Sequence, residues 1–305
     1  GSEGLIGSPD EALEIAEAIG FPVLVKASAG GGGKGMRIAH NDATLKSAVT
    51  TAAMEAQAAF GDGGLYLEKY IENARHIEVQ IMADTHGKIV TLGERECSIQ
   101  RRHQKLIEET PSTALTPSLR AKVLKSAWRA AKAIGYTNAG TVEFLLAPDN
   151  QFYFIEINAR IQVEHPVTEE VIRKDLVCEQ IRIAAGEHLG YSAVTPVGCA
   201  IEARVYAEDW EHGFRPSPGR IEACHIPGGP GIRVDTHIFT GYEVPRYYDS
   251  LLAKVIAWGQ DRNQAIERLA GALDEFKIQG VKTTASLCAT VVRSGRFRRG
   301  DLSMN

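Results

Sequence analysis

The sequence predicts an α+β chain. Amphipathic helices with capping signals recur along it, short apolar strands lie between them, and several strand pairs are joined by tight turns rather than by helical crossovers. Its 305 residues suit one large domain or two ordinary ones. Hydrophobic residues at 44% and charged residues at 24% are ordinary for a globular chain. The formal net charge of −4 gives no global reason to expect nucleic acid or an acidic membrane surface. No apolar run approaches the roughly 20 residues of a membrane span. The five cysteines are scattered, with no Cys-x-x-Cys pair, and read as reduced structural thiols of a cytoplasm-like compartment.

Ser8-Pro9-Asp10-Glu11 opens the first helix with a capping box and a proline at its first position, and Gly20 closes it. Strands follow at 23–27 and 36–39, interrupted by Gly30 to Gly35. Residues 43–60 read as an alanine-rich helix and 65–70 as a strand. Residues 76–81 alternate polar and apolar, the pattern of a half-buried strand, and a turn at 84–87 leads into a strand at 89–93. A helix spans 117–135. Strands at 140–147 and 152–159 flank the turn Pro148-Asp149-Asn150-Gln151. Helical patterning returns at 168–185, and 187–197 reads as a linker. Strands at 200–206, 219–225 and 232–235 and a long helix at 262–276 complete the pattern.

The glycine run with Lys34 lies between strands. Its backbone N–H groups suit a flap over phosphates, with Lys26 and Lys34 adding charge. It is not a Walker A loop, because Gly35 follows the lysine and no helix begins there. In the 140–159 hairpin, Asp149 and Asn150 taken as the two central turn residues set Glu143 directly opposite Glu156. Opposed Cβ atoms lie about 4.5–5.5 Å apart. Two carboxylates that close call for a shared proton or a cation, and a hard divalent ion is the usual solution, with Asn158 as a further oxygen ligand. Glu156, Asn158, Arg160, Gln162 and Glu164 then recur at every second residue, so an extended segment would carry all five on one face. Arg160 there suits a small planar anion. The stretch from Glu94 to Lys105 ends in a basic cluster that reads by itself as a solvated run or a phosphate contact.

Together these motifs resemble the biotin carboxylases of the ATP-grasp superfamily. They are Lys26-Ala27-Ser28 with Gly30 to Met36, Glu68-Lys69-Tyr70-Ile71, Glu94 to Lys105, Phe154 to Asn158, and Arg160 to Glu169. The resemblance implies an ATP-grasp fold over residues 1–196, of which 1–70 would be a mobile lid, and a C-terminal α+β domain over 197–305. It also implies that the N-terminal domain of the family, which precedes the lid, is absent. The reaction it implies is ATP-dependent carboxylation of biotin with bicarbonate through carboxyphosphate. ATP would lie against Lys26, Gly31, Gly32, Gly33, Gly35, Met36, Glu68, Lys69, Tyr70, Ile71, His76, Gln100, His103 and Leu145. Mg²⁺ or Mn²⁺ would lie on Glu143, Glu156 and Asn158. Bicarbonate would lie on Lys105, Arg160, Gln162, Val163 and Glu164, with Glu164 as base, and Arg204 would stabilise the biotin enolate. Implied partners are a biotin carboxyl carrier, a carboxyltransferase component and a second copy in the intact enzyme, in cytoplasm or mitochondrial matrix. Nucleic acid and membrane are not expected. No Ala-Met-Lys-Met biotinyl site and no acyl-CoA site is present, so the final acceptor stays open. The alternatives are another ATP-grasp carboxylate–amine ligase, or a catalytically incompetent fragment acting as a binding module.

Overall fold

The computed structural model describes residues 1–29 and 35–304, so Gly30, Gly31, Gly32, Gly33 and Lys34 lie outside the described residues. The chain forms two compact units, Gly1–Glu72 and Asn73–Asn305.

In the first unit, helix α1 (Pro9–Ile19) is capped by the Ser8 hydroxyl, which accepts the Glu11 N–H at 3.2 Å. Strands β1 (Val23–Ala27), β2 (Met36–Ala39) and β3 (Leu65–Lys69) form an antiparallel sheet in the order β2-β1-β3. Helix α2 (Asp42–Phe60) starts from a reciprocal capping box between Asn41 and Thr44. The period of two in β1 and β3 buries Val23, Val25, Leu65 and Leu67 against α1 and α2, with Ala12, Ala16, Leu45 and Ala52. The same period sends Lys26, Tyr66 and Glu68 to the opposite face.

The second unit is built on an eight-stranded antiparallel sheet. Its order is Ile232–Thr236, Leu251–Gly259, β9 (Cys199–Tyr206), β6 (Gln104–Thr110), β5 (Ile89–Arg101), β4 (Arg75–Ala83), β7 (Asn138–Leu146) and β8 (Phe152–Asn158). Helix α3 (Pro117–Ala133) covers Ile77, Val79, Ile81, Val142 and Phe144 at one end. Helices α6 (Arg262–Glu275) and α7 (Ala285–Arg293) cover Ile201, Ala203, Val205 and Val255 at the other. These apolar residues alternate with polar ones, which therefore share the opposite face, where α4 (His165–Ile172) packs.

Five sequence expectations change. The 76–81 strand is buried on both faces rather than half-buried, because its polar residues point into a buried hydrogen-bond network. The hairpin register is one residue out at the turn. Leu146 faces Phe152 because Asn150 adopts a left-handed φ of 65°, making a longer loop, and a bulge between Glu143 and Phe144 then restores the Glu143–Glu156 pair. The extended run ends at Asn158, and Glu164 is instead the residue that opens α4. The 168–185 helix is two helices, α4 and α5 (Leu176–Ala184), separated by Arg173 at φ 56° and by the Asp175 cap. The 94–105 stretch is strand rather than solvated run. Glu94 to Ser98 are buried in β5, and Arg102 and His103 form a two-residue turn into β6 with φ of 49° and 66°. That turn carries no Asn-Gly or Gly signal, and so the hairpin was not legible.

Candidate active site on the polar face of the sheet

Strand register assembles the site as rows of directly opposed residues. Glu156, Glu143, Glu78 and Arg95 form one row across β8, β7, β4 and β5. Asn158, Thr141 and Gln80 form the next. Further along the sheet, Glu108 of β6 faces Glu202 of β9.

Arg95 is fully buried and donates all five of its N–H groups. They go to Glu78, Gln80 Oε1 at 2.7 Å, Thr168 Oγ1 at 3.0 Å, Thr141 Oγ1 at 3.2 Å and Gln162 Oε1 at 3.1 Å. It therefore ties β4, β5 and β7 to α4 and to the loop that precedes it. Gln162 passes the order on by donating to Glu143 Oε1 at 2.6 Å.

Lys105 points its three N–H bonds at three carboxylates, Glu78 at 2.5 Å, Glu164 at 2.6 Å and Glu143 at 3.2 Å. Burial would raise the Glu78 carboxyl, but Lys105 and Arg95 hold it down to about 2. Glu143 is likewise opposed by burial and held at about 2 by His76, Lys105 and Gln162. His76 Nε2 lies 2.9 Å from Glu143 Oε2. The Lys105 ammonium loses from burial and gains more from its carboxylates, so its pKa rises.

Arg204 joins the cluster from β9. Its Nε donates to Glu108 at 2.6 Å, and its Nη2 donates to Glu164 Oε2 at 2.8 Å. Glu164 thus has one oxygen on Lys105 and the other on Arg204, and only 2% of it is exposed. Among the described residues, no acceptor reaches the partly exposed Arg160 more closely than Asn158 Oδ1 at 3.2 Å. Val163 is exposed, and its carbonyl accepts from Lys254 at 3.1 Å.

The amide of Asn158 reaches both Glu143 at 3.0 Å and Glu156 at 3.2 Å, so the three side chains converge. The Asn158 nitrogen faces the carboxylates and its oxygen faces Arg160, so a turn of the amide would present two carboxylates and an amide oxygen, hard donors that fit Mg²⁺ or Mn²⁺. His76, Glu78 and Glu143 also gather within 4.8 Å. Lys105 already supplies the positive charge among Glu78, Glu143 and Glu164, so the more exposed Glu156 and Asn158 side is the better seat for a cation. Gln100 donates to His76 Nδ1 at 2.8 Å, Leu145 lies opposite His76, and His103 sits at the exposed turn between β5 and β6.

The first unit holds the remaining expected residues. Lys26 Nζ lies 3.1 and 3.2 Å from the two Glu68 oxygens and 5.2 Å from the Tyr66 ring. Lys69 Nζ donates to the Gly20 and Phe21 carbonyls at 2.9 and 2.8 Å. Tyr70 N–H donates to the Pro22 carbonyl at 3.1 Å, and Ile71 is half-buried. Gly35 has φ 73°, and a Cβ there would meet Ala27 Cβ at 2.8 Å beside Met36, so glycine is required.

Sequence reasoning gave no role to Arg95, Glu78, Glu108 or Glu202. The one available signal was charge inside otherwise apolar strand patterns, which buried strands carry only when the charges are paired.

Residues 1–192 match the family described as "Carbamoyl-phosphate synthase L chain, ATP binding domain", and residues 202–305 match "Biotin carboxylase C-terminal domain". A biotin carboxylase of Nostoc sp. is 52% identical over 99% of this chain and 68% of its own length. A chloroplastic biotin carboxylase of Arabidopsis thaliana is 51% identical over 99% of this chain and 57% of its own. Among solved structures, the biotin carboxylase domain dimer of Hydrogenobacter thermophilus 2-oxoglutarate carboxylase, in complex with MgADP, ADP and bicarbonate, has a TM-score of 0.96. It is 50% identical over 100% of this chain and 68% of that one. The Campylobacter jejuni biotin carboxylase complex with β,γ-ATP has a TM-score of 0.97 at 45% identity, with the same coverage. The chain spans 57% to 68% of the length of the curated relatives it matches.

Proposed function

The chain belongs to the biotin carboxylase family, and on that premise we propose that it carboxylates biotin, borne on a carrier, with bicarbonate and ATP. The observation that carries the reading is Glu164. It is a buried carboxylate with a lysine on one oxygen and an arginine on the other, beside a convergent pair of acids and an asparagine.

In this reading Glu164 takes the bicarbonate proton while Lys105, Arg160, Gln162 and the Val163 backbone hold the anion. The γ-phosphoryl group passes to bicarbonate to give carboxyphosphate, which breaks down to CO₂ and phosphate. Phosphate then removes the N1 proton of biotin, Arg204 stabilises the enolate, and N1 attacks the CO₂ to form the N–C bond of carboxybiotin. Glu143, Glu156 and Asn158 would hold Mg²⁺ or Mn²⁺, which when bound neutralises the phosphoryl oxygens. Lys26, Gly31, Gly32, Gly33, Gly35 and Met36 serve the ATP phosphates. Glu68, Lys69, Tyr70, Ile71, His76, Gln100, His103 and Leu145 serve the nucleoside. Residues 1–196 act as the ATP-grasp part, with 1–70 as lid, and 197–305 as the C-terminal domain. A carrier, a carboxyltransferase component and a second copy are the partners, in cytoplasm or, in a eukaryote, the mitochondrial matrix or a plastid. No helix among the described residues is long and apolar enough to cross a membrane.

Phosphate release from ATP by the chain, with free biotin and bicarbonate each present or omitted, tests this. Release that needs both supports the reading. Release indifferent to biotin, or an absence of release with both present, opposes it.

A further inference from the structure

The proposed reaction uses Arg204 but leaves a second buried group on the same strand unexplained. Glu202 is fully buried, and neither of its carboxyl oxygens has a hydrogen-bond partner among the described residues. It directly faces Glu108 on the neighbouring strand. Glu108 is also fully buried. Its Oε1 accepts from Arg204 Nε at 2.6 Å, and its Oε2 has no partner. Three orphaned oxygens therefore meet across one opposed pair of residues.

The cations packed around this pair are committed elsewhere. From β6, Lys105 serves Glu78, Glu143 and Glu164. From β9, Arg204 divides its guanidinium between Glu108 and Glu164. From the Leu251–Gly259 strand, Lys254 goes to Asp235 at 3.2 Å and to the Val163 carbonyl. At α4, His165 Nδ1 contacts the Gln162 carbonyl. Two buried carboxylates with no free donor between them cannot both stay ionised. A proton on one of them is the donor they lack, and it belongs on Glu202, because Glu108 already accepts from a guanidinium.

We propose that Glu202 is a positioning residue, a neutral carboxylic acid that donates its proton to the free oxygen of Glu108 and so fixes the carboxylate that orients Arg204. Burial raises the Glu202 carboxyl well above its ordinary range, with the Glu108 charge adding to the effect, and Glu108 itself is raised by burial to about 7. The proposal rests on the reading of Arg204 as the cation of the biotin step, but its first two tests do not need turnover.

The test compares the full chain with Glu202→Gln, whose amide N–H can replace the acid proton, and Glu202→Leu, which has no donor. Wild-type-minus-variant infrared difference spectra should show one protonated-carboxyl C=O band, present against both variants. With ¹⁵N-arginine labelling, the Arg204 Nε–H resonance should stay in place in Glu202→Gln and shift in Glu202→Leu. In biotin-dependent turnover, Glu202→Leu should lower kcat by about tenfold or more with little change in the KM for ATP. Glu202→Gln should restore it. A wild-type-minus-variant difference without the band, or an Arg204 resonance unmoved in Glu202→Leu, overturns the proposal. If both spectral results hold and the wild type shows no biotin-dependent turnover, the proposed function fails and the positioning of Arg204 by Glu202 stands.

Discussion

Replacing Arg95 with methionine keeps an unbranched apolar stem and removes every hydrogen bond the arginine donates. The fully buried Glu78 carboxylate then loses the Nε bond and half of its charge compensation, leaving Lys105 alone on its other oxygen. Removing one partner of a buried ion pair costs about 3–5 kcal/mol. The amide oxygens of Gln80 and Gln162, each left without a donor, add on the order of 1 kcal/mol apiece, whereas the Thr141 and Thr168 hydroxyls can rotate away. Against a total stability of about 5–15 kcal/mol, a loss of roughly 5–7 kcal/mol is large. Urea unfolding followed by tryptophan fluorescence reads the right unit, because Trp128, Trp210 and Trp258 all lie within Asn73–Asn305. The double variant Arg95→Met/Glu78→Gln should recover part of the loss, since the buried charge leaves with its partner. A loss below about 1 kcal/mol in Arg95→Met would refute the claim that this arginine organises the site.

Three further predictions follow from the same charges. Glu78 and Glu143, held at about 2 against an ordinary 4.5, contribute stability that is present above about 4.5 and lost as pH falls towards 2, so Tm should drop steeply over that window. Glu109 has the opposite sign. Burial raises it to about 7, with Arg262 opposing, so the fold keeps a proton that the unfolded chain has released and stability falls as pH rises from about 4.5 to 7. Glu109→Gln should flatten that decline in Tm measurements, and an unchanged slope would contradict it. Glu156→Gln, on an exposed side chain, should alter stability by no more than about 0.5 kcal/mol. It should nevertheless weaken Mg²⁺-dependent ATP binding in calorimetry, and equal binding with and without the substitution would remove Glu156 from the metal set.

Local signals carried much of this fold. Ser8, Pro9 and Gly20 bound α1 where their chemistry says they should, and the period of two in β1 placed Lys26 away from the core. The opposition of Glu143 and Glu156 was legible, but it was reached through a turn that the chain does not make. The bulge that compensates depends on how the sheet twists and packs, which the local pattern does not encode. The Leu251–Gly259 strand shows no clean alternation to find, because it is largely buried on both faces and its apolar residues are broken only by Lys254. The polar network was the least legible part. Arg95, Glu78, Glu108 and Glu202 are separated by up to 124 positions, and only strand register makes them neighbours. The residues between Asn158 and Glu164 kept their chemical order while changing shape, from a strand end through a loop to a helix start.

The central claim is that Glu164 activates bicarbonate between Lys105 and Arg204. Glu164→Gln keeps the shape of the side chain and removes the base. In a chain that shows bicarbonate-dependent ATP hydrolysis, this variant should lose at least about a hundredfold in turnover, since a positioned base is worth roughly 10²–10⁴-fold. At about 1.4 kcal/mol per factor of ten, that is some 3 kcal/mol or more of barrier. ATP affinity measured on the same samples should stay within about threefold, below 1 kcal/mol. A turnover loss under about tenfold, or a matching loss of ATP binding, would contradict the assignment.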